Sequence, residues 1–287
     1  MQPKQSTREE YQRRINIIVE YINNHLDETI DLGFLAEMSH FSPCHFHRIL
    51  KAFLGEPIGA FIVRMRLETA ARLLRYTELP VQEIAWRVGY DAPSSLSKVF
   101  RQYYAITPND YRNNKNYTIM RPVLLNPDLK LKAPKIIEME PKSVIYLRLT
   151  GAYMNIDYAG AWTRLWAFVK EHKLFSAGIE HLCVYHDDPK VTEADKLRTD
   201  VCLVVRKPAV AKGEVGVKCI EGGKYAVFSY QGPYADLGVV YDTIYGKWLP
   251  ESGYTLGMTP GFEKYLNHPD KTEPGKLKTE LYIPIES

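Results

Sequence analysis

The sequence has few cysteines and no long apolar run, and these absences exclude several classes of protein. Four of its 287 residues are cysteine, and none stands in a Cys-x-x-Cys pair, so neither a disulfide scaffold nor a zinc site of common spacing is predicted. No stretch reaches the roughly 18 apolar residues of a membrane-spanning helix. The polar N-terminus lacks the apolar segment of a secretory signal. We therefore expect reduced thiols, a cytoplasmic location and no membrane partner.

Net charge is also low, but the charged residues are unevenly distributed. The formal net charge is only +3, yet residues 42–115 carry 11 Lys and Arg against 6 Asp and Glu. Residues 1–41 carry 4 Lys and Arg against 7 Asp and Glu. This basic block indicates where a nucleic acid would bind. At roughly 100–200 residues per domain, the length of the chain predicts two domains.

Apolar residues recur with helical spacing through the first part of the chain. Ile15, Ile18, Val19 and Ile22 follow the spacing i, i+3, i+4, i+7, which predicts a helix with one buried face. Further segments with the same spacing follow, and Pro80 ends the longest of them. The N-terminal half is therefore predicted to be all-α.

This helical half contains an internal repeat. The segment LAEMSHFSPCHFHRILKAF matches IAWRVGYDAPSSLSKVFRQY, with Ala36 and Ala85 at equivalent positions 49 residues apart. Each copy has the pattern of a helix, a short turn and a second helix, which predicts two helix-turn-helix units in tandem. The second helix of such a unit enters the major groove of DNA.

A second repeat occupies the C-terminal half, where strand patterns alternate with helices. The 21 residues that start at Tyr185 align without a gap with those that start at Tyr265, and seven of them are identical. The pattern predicts an α+β domain of two strand-helix-strand-strand repeats. Two such copies pack about a pseudo-two-fold axis, and the cleft between them is a natural ligand site.

The predicted organisation is multidomain, with one all-α and one α+β part. Residues 1–115 form the predicted DNA-binding domain, and residues 134–287 form the domain with the cleft. Residues 116–133 are irregular and contain two prolines, which indicates a linker between the two domains.

The segment IAWRVGYDAPSSLSKVFRQYYAITPNDYR resembles the AraC/XylS family of bacterial transcription regulators, and the resemblance extends over residues 10–112. One departure is Ala105, where the family has a glycine that ends a helix tightly. The resemblance implies that the second helices of both units contact DNA.

The base-reading positions of that family fall on one face of each second helix. Cys44, His47, Arg48 and Lys51 share a face at i, i+3, i+4, i+7. The predicted DNA-contacting residues are Cys44, His47, Arg48, Lys51, Ser94, Ser95, Lys98 and Arg101. Arg48 can bond guanine through two hydrogen bonds, whereas Arg101 is expected to hold a phosphate. No metal is predicted, because no other His or Cys pair has ligand spacing; a solvated polar face stays open as an alternative.

The segments YQGPY, FEKYLNHP and TELYIPI resemble GyrI-like domains, the effector-binding modules of some AraC relatives and multidrug-sensing regulators. The resemblance covers residues 134–287 and implies a pocket for a small-molecule effector, without a cofactor. It also implies that the acid of the F-E-x-Y motif, Glu263, is the carboxylate of that pocket.

Glu263 breaks the symmetry of the C-terminal repeat, because its counterpart is Cys183. A carboxylate among aromatic rings is costly unless a cation pairs with it, and a plain surface acid is the alternative. The predicted ligand-binding residues are Glu263, Tyr265, Tyr241, Tyr245, Trp248 and Glu280. The helical stripe from Tyr241 to Trp248 could equally be core. Glu280, whose counterpart is also acidic, could serve the fold.

Together these observations predict a transcription regulator that binds double-stranded DNA and senses a small apolar molecule, with a cation among the candidates. The chain is not expected to be an enzyme, since no Ser-His-Asp or Cys-His constellation is evident. Two alternatives stay open: a hydrolase that uses Glu263 as a general acid or base, and a protein-interaction module. RNA polymerase is a further candidate partner.

Overall fold

A computed structural model of the protein describes residues 7–41, 43–114 and 131–286. The chain divides into two compact units, of which the first is helical and the second is built on an antiparallel sheet. This confirms the predicted multidomain class. Most of the predicted linker lies outside the described residues, so the domain boundaries stay predictions. Within the described residues, no helix has the length and apolar character that crossing a membrane requires.

Seven helices are described in the helical part of the chain. Four of them form the two expected helix-turn-helix units. The helices are α1 Thr7–Asn24, α2 Leu32–Met38, α3 Pro43–Leu54, α4 Ile58–Tyr76, α5 Val81–Arg87, α6 Pro93–Tyr104 and α7 Pro108–Asn113. Helices α2 and α3 form the first unit of the tandem, and α5 and α6 form the second. The stripe of α1 from Ile15 to Ile22 is buried as predicted.

The turns of the two helix-turn-helix units share a backbone feature. His40 and Gly89, which are 49 residues apart, both have positive φ, 54° and 75°. At Gly89 a Cβ atom would lie 2.3 Å from the carbonyl oxygen of Leu26. A side chain at Gly89 would therefore clash with the backbone, which explains the glycine at this turn.

Helix α6 ends at Ala105 in the left-handed conformation, with φ 59°. This backbone costs a residue with a Cβ atom about 1–2 kcal/mol, which a glycine avoids at the expense of greater chain entropy in the unfolded state. We expect Ala105→Gly to raise the free energy of unfolding of the helical unit by about 0.5–1 kcal/mol.

Chemical denaturation followed by circular dichroism checks this prediction. Ala52→Gly is the matched control, because Ala52 is also exposed but lies inside α3. Its replacement should destabilise the unit by about 0.5–1 kcal/mol. Destabilisation by both substitutions would contradict the strain assigned to Ala105.

The second unit consists of a mixed succession of strands and helices around one sheet. Its elements are β1 Lys135–Met139, β2 Lys142–Thr150, α8 Tyr158–Glu171, β3 His181–Tyr185, β4 Arg198–Val204, β5 Gly216–Ile220, β6 Gly223–Gln231, α9 Leu237–Thr243, β7 Thr255–Leu256, β8 Phe262–Tyr265 and β9 Lys278–Glu286. A π-helical turn, Ile244–Trp248, and a short helix, Leu249–Glu251, follow α9. The strand order is β1-β6-β9-β8-β3-β4-β2-β5, and β7 pairs with β9.

This order confirms the two strand-helix-strand-strand repeats, β2-α8-β3-β4 and β6-α9-β8-β9, and shows that each repeat begins with one further strand, β1 or β5, which the sequence did not predict. Strand β1 of the first repeat pairs with β6 of the second, and β5 of the second repeat pairs with β2 of the first. The repeats thus exchange their first strands. They meet at the antiparallel pair β3–β8, where Cys183 lies opposite Glu263. Because these two residues are equivalent in the repeat, the pseudo-two-fold axis passes between them.

The two faces of the sheet carry different side chains. Across β8 and β9, Glu263 lies opposite Leu281, and Lys264 lies opposite Glu280. Side chains alternate along a strand, so Glu263 and Glu280 project from opposite faces. The face of Glu263 and Cys183 is the one on which α8 packs.

Candidate functional site

A buried carboxylate lies where the two repeats meet. The Glu263 residue is 2% exposed, and Cys183 beside it is fully buried. Strands β8 and β3 hold both residues in register at the centre of the sheet. The junction is therefore nearly symmetric in its backbone but carries an acid on one side only.

Three tyrosine hydroxyls surround this carboxylate. The Tyr265 hydroxyl donates to Glu263 Oε2 at 2.6 Å, and the Tyr185 hydroxyl donates to the same oxygen at 3.2 Å. The two hydroxyl oxygens lie 3.1 Å apart. Tyr241, on α9, is close enough to Glu263 to lower its pKa, as the other two tyrosines do. We call Tyr185, Tyr241 and Tyr265 the tyrosine cage.

The tyrosine cage does not compensate for the loss of water around the carboxylate. Burial raises the pKa of Glu263 from its usual 4.5 to about 7, although the three tyrosines act in the opposite direction. Within the described residues, no Lys, Arg or His forms an ion pair with Glu263. A positive charge is thus the element that this site lacks.

Further aromatic rings extend the cage in a symmetric way. The Tyr153 ring packs edge-on against Tyr185 at 4.9 Å, and the Tyr234 ring packs edge-on against Tyr265 at 5.3 Å. Tyr153 and Tyr234 are equivalent in the repeat, as are Tyr185 and Tyr265. The Trp162 ring lies 6.4 Å from that of Tyr265. Aromatic rings attract cations electrostatically, so this lining suits a cationic ligand.

The structure brings together only some of the residues predicted for ligand binding. Glu263, Tyr265 and Tyr241 meet in the cage, and the Tyr245 ring stacks against Tyr241 at 6.1 Å. Trp248 packs against Phe228 at 4.9 Å instead. The π-helical turn explains this position, because it interrupts the α-helical spacing on which the predicted stripe depends. A ligand-binding role for Trp248 stays a prediction.

Glu280 lies on the other face of the sheet from Glu263 and accepts a hydrogen bond from the Tyr282 hydroxyl at 3.1 Å. Its counterpart Asp200 is fully buried among three basic groups. Arg148 donates to both of its carboxylate oxygens at 2.7 Å, and Lys218 Nζ lies 2.7 Å away. Arg148 and Lys218 hold the pKa of Asp200 well below its usual value. These contacts favour a structural role for the recurring acid, and a ligand-binding role for Glu280 stays a prediction.

Sequence reasoning missed part of the aromatic lining. Tyr185 was not predicted as a site residue, although its identity with Tyr265 in the gapless repeat signals it. Tyr158, on α8, lies close enough for the Glu263 charge to raise its pKa, after the larger effect of burial. No motif singles out Tyr158, because only the packing of α8 on the sheet brings it to the site.

The second helices of the tandem expose the predicted polar faces. In α3, the side chains of Arg48 and Lys51 are exposed, whereas Phe46 and Leu50 are buried. His47 of α3 and Ser94, Ser95, Lys98 and Arg101 of α6 are also exposed. The side chain of Cys44 lies outside the described residues. The arrangement leaves these faces accessible to a duplex, and their DNA contacts stay predictions.

Comparisons with known proteins agree with this architecture. Residues 132–286 match the GyrI-like small molecule binding domain family, and residues 35–114 match a helix-turn-helix domain family. The right origin-binding protein of Escherichia coli K12 is 25% identical over 279 residues, which cover 92% of this chain and 95% of that protein.

Two further relatives are named as regulators. The transcriptional regulator Rob of Salmonella typhimurium is 23% identical over 286 residues, which cover 92% of this chain and 95% of that protein. The regulatory protein SoxS of the same organism is 33% identical over 103 residues, which cover 36% of this chain and 96% of that protein. The chain therefore belongs to the family of the GyrI-like small molecule binding domain, which it joins to a helix-turn-helix domain of the AraC type.

Proposed function

We propose that this AraC-type regulator reads double-stranded DNA with α3 and α6 and binds a small, apolar cation at Glu263. Occupancy of the site then changes transcription. One observation carries the choice of a cation: a fully buried carboxylate is surrounded by tyrosines and, within the described residues, has no ion-pair partner. RNA polymerase as a partner and a cytoplasmic location belong to the same proposal.

The energetics of the site support a cation over other ligands. A buried charge without a partner is costly, because the tyrosine hydroxyls only partly replace the water it has lost. A cation restores the missing charge and stacks on the surrounding rings. An anion would add a second negative charge beside Glu263, which the low-dielectric surroundings make unfavourable.

Thermal unfolding of the full chain with three probes of similar shape tests the ligand class. Tetraphenylphosphonium is a cation, tetraphenylborate is an anion, and triphenylphosphine oxide is neutral. We expect the cation to raise the melting temperature of the C-terminal unit most at pH 8, because a ligand that binds the folded state stabilises it. A larger shift with tetraphenylborate, or no shift with any probe, would contradict the proposed ligand class.

The DNA-reading role of Arg48 leads to a separate prediction. We expect Arg48→Ala to weaken binding to a duplex selected from random sequences by about tenfold, roughly 1.4 kcal/mol, because two hydrogen bonds to one base are lost. Specificity at that base should relax.

Fluorescence anisotropy with the selected duplex and a random duplex measures both effects. Arg101→Ala serves as the comparison, because the loss of a phosphate contact weakens binding to both duplexes alike. If Arg48→Ala also reduced both affinities equally, Arg48 would be a phosphate contact and the base-reading role would be wrong.

We propose no catalytic role for the site. A pKa near 7 would suit Glu263 as a general base, but its Oε2 atom already accepts two tyrosine hydrogen bonds. Burial raises the pKa of the neighbouring Cys183 thiol well above its usual value, so the thiol is a poor nucleophile. Rob and SoxS are named as regulators, which agrees with binding rather than turnover. Recovery of unaltered ligand from the purified protein by mass spectrometry is the expected result; a processed compound would favour a hydrolase.

A further inference from the structure

The site contains one group that can exchange a proton near neutral pH. The titratable groups that face Glu263 come from every element around it, and they are Tyr158 on α8, Cys183 and Tyr185 on β3, Tyr234 before α9, Tyr241 on α9 and Tyr265 on β8. Burial raises the pKa of each of these phenols and of the thiol above its usual value. Between about pH 5 and 9, only Glu263 in this set changes its charge.

The geometry shows what the carboxyl group lacks when no ligand is bound. Two phenol hydroxyls converge on Glu263 Oε2, at 2.6 Å and 3.2 Å, and the carboxyl group is shielded from water. Phenol dipoles stabilise a negative charge but do not neutralise it. A proton on Glu263 supplies the neutralising charge that a cation would bring.

We propose that the ligand-free pocket holds Glu263 largely as the neutral acid below pH 7, and that a cationic effector displaces this proton to solvent. The exchange is balanced: the O–H bond of the acid breaks, the proton passes to buffer, and the carboxylate pairs with the cation. The inference rests on the proposed function, because it requires that a cation binds at Glu263.

A second consequence concerns neutral ligands. The protonated acid is a hydrogen-bond donor, which the carboxylate is not. A neutral ligand with a carbonyl or phosphoryl oxygen should therefore bind best at low pH, where Glu263 can donate to it. The same pocket thus favours cations at high pH and neutral acceptors at low pH.

Calorimetric titration of the full chain with tetraphenylphosphonium tests the exchange, because the charge of this probe does not depend on pH. Its affinity should rise about tenfold from pH 5 to pH 6 and level off above about pH 8, as expected when one proton must leave. In phosphate and in imidazole buffer at pH 7, the heats should differ by the release of about half a proton. Triphenylphosphine oxide should show the opposite slope with pH.

Two variants show whether the pH dependence of cation binding comes from Glu263. Glu263→Gln should bind tetraphenylphosphonium with an affinity that no longer changes from pH 5 to 9, and Glu221→Gln, a change at an exposed carboxylate of the same unit, should keep the slope of the wild type. Tight binding of the cation without a slope or proton release would overturn the proton exchange and leave the proposed function intact. Absence of any cation binding would overturn both.

Discussion

Replacement of Glu263 with glutamine is expected to stabilise the C-terminal unit at pH 8 by on the order of 3 kcal/mol. The reason is the rise in the pKa of Glu263 from 4.5 to about 7 on burial, at about 1.36 kcal/mol per unit. The folded protein binds this proton more tightly than the unfolded chain does. Stability from this group is therefore complete below about pH 4.5, and it decreases as the pH rises towards 7. Above pH 7 the full penalty remains, and glutamine, which has no charge, avoids it.

Urea denaturation of the ligand-free chain at pH 8 and pH 5 measures this effect. The difference between Glu263→Gln and the wild type should shrink to less than about 1 kcal/mol at pH 5, because the acid is then protonated in the folded state and pH 5 lies only slightly above the pKa of 4.5 in the unfolded chain. Glu221→Gln should have no comparable effect at either pH. A glutamine variant that is less stable than the wild type at pH 8 would show that the carboxylate stabilises the fold, contrary to the ligand-binding role. Stability lost at a functional site in this way is a common cost of binding.

The second large effect concerns ligand affinity. Glu263→Gln is expected to weaken tetraphenylphosphonium binding at pH 8 by about 30-fold to 100-fold, roughly 2–3 kcal/mol, because the bound cation loses its buried counter-charge. Triphenylphosphine oxide, which brings no charge, should not bind more weakly, because the glutamine amide can donate to its phosphoryl oxygen and the carboxylate cannot. DNA binding by the helical unit should not change.

Calorimetry with both probes on the wild type and the variant provides the measurement. The neutral probe distinguishes the loss of a charge from damage to the shape of the pocket. Equal losses for the two probes would mean that Glu263 maintains the structure of the site, and its assignment as the counter-charge would have to be abandoned.

The repeats explain why so much of the C-terminal fold could be predicted from the sequence. A gapless match 80 residues apart places Tyr185 and Tyr265 in equivalent positions, and it identifies Glu263 as an acid that replaces Cys183. The exchange of β1 and β5 could not be predicted in this way. Both are strands of five residues, and a short alternating segment does not indicate which repeat it will pair with.

The positions of Trp248 and Glu280 away from Glu263 have equally specific causes. The predicted aromatic stripe assumed a regular α-helix, and the π-helical turn Ile244–Trp248 changes the spacing before Trp248 is reached. The position of Glu280 depends on the register of β9 against β8, which places it opposite Lys264 and away from Glu263. Sequence distance alone does not give this register, because a shift of one residue would reverse the faces.

In the helical half too, local sequence patterns predict the backbone geometry of a helix end but not the contacts between distant segments. The positive φ of Ala105 follows from a family pattern that has glycine at the end of this helix. The close approach of Gly89 to the carbonyl oxygen of Leu26 depends on the packing of the turn after α1 against a later turn. Composition and periodicity carry no signal for such a contact between distant segments.

Transcription in vitro from a promoter that contains the selected DNA sequence tests the central claim most directly. RNA synthesis by a bacterial polymerase is measured with the full chain at pH 8, with and without tetraphenylphosphonium. We predict that the cation changes transcript yield with the wild type, changes it much less with Glu263→Gln at the same cation concentration, and has little effect with Arg48→Ala. Equal transcript yield with and without the cation, at concentrations that saturate the wild-type site, would contradict the account of this chain as a cation-responsive transcription regulator.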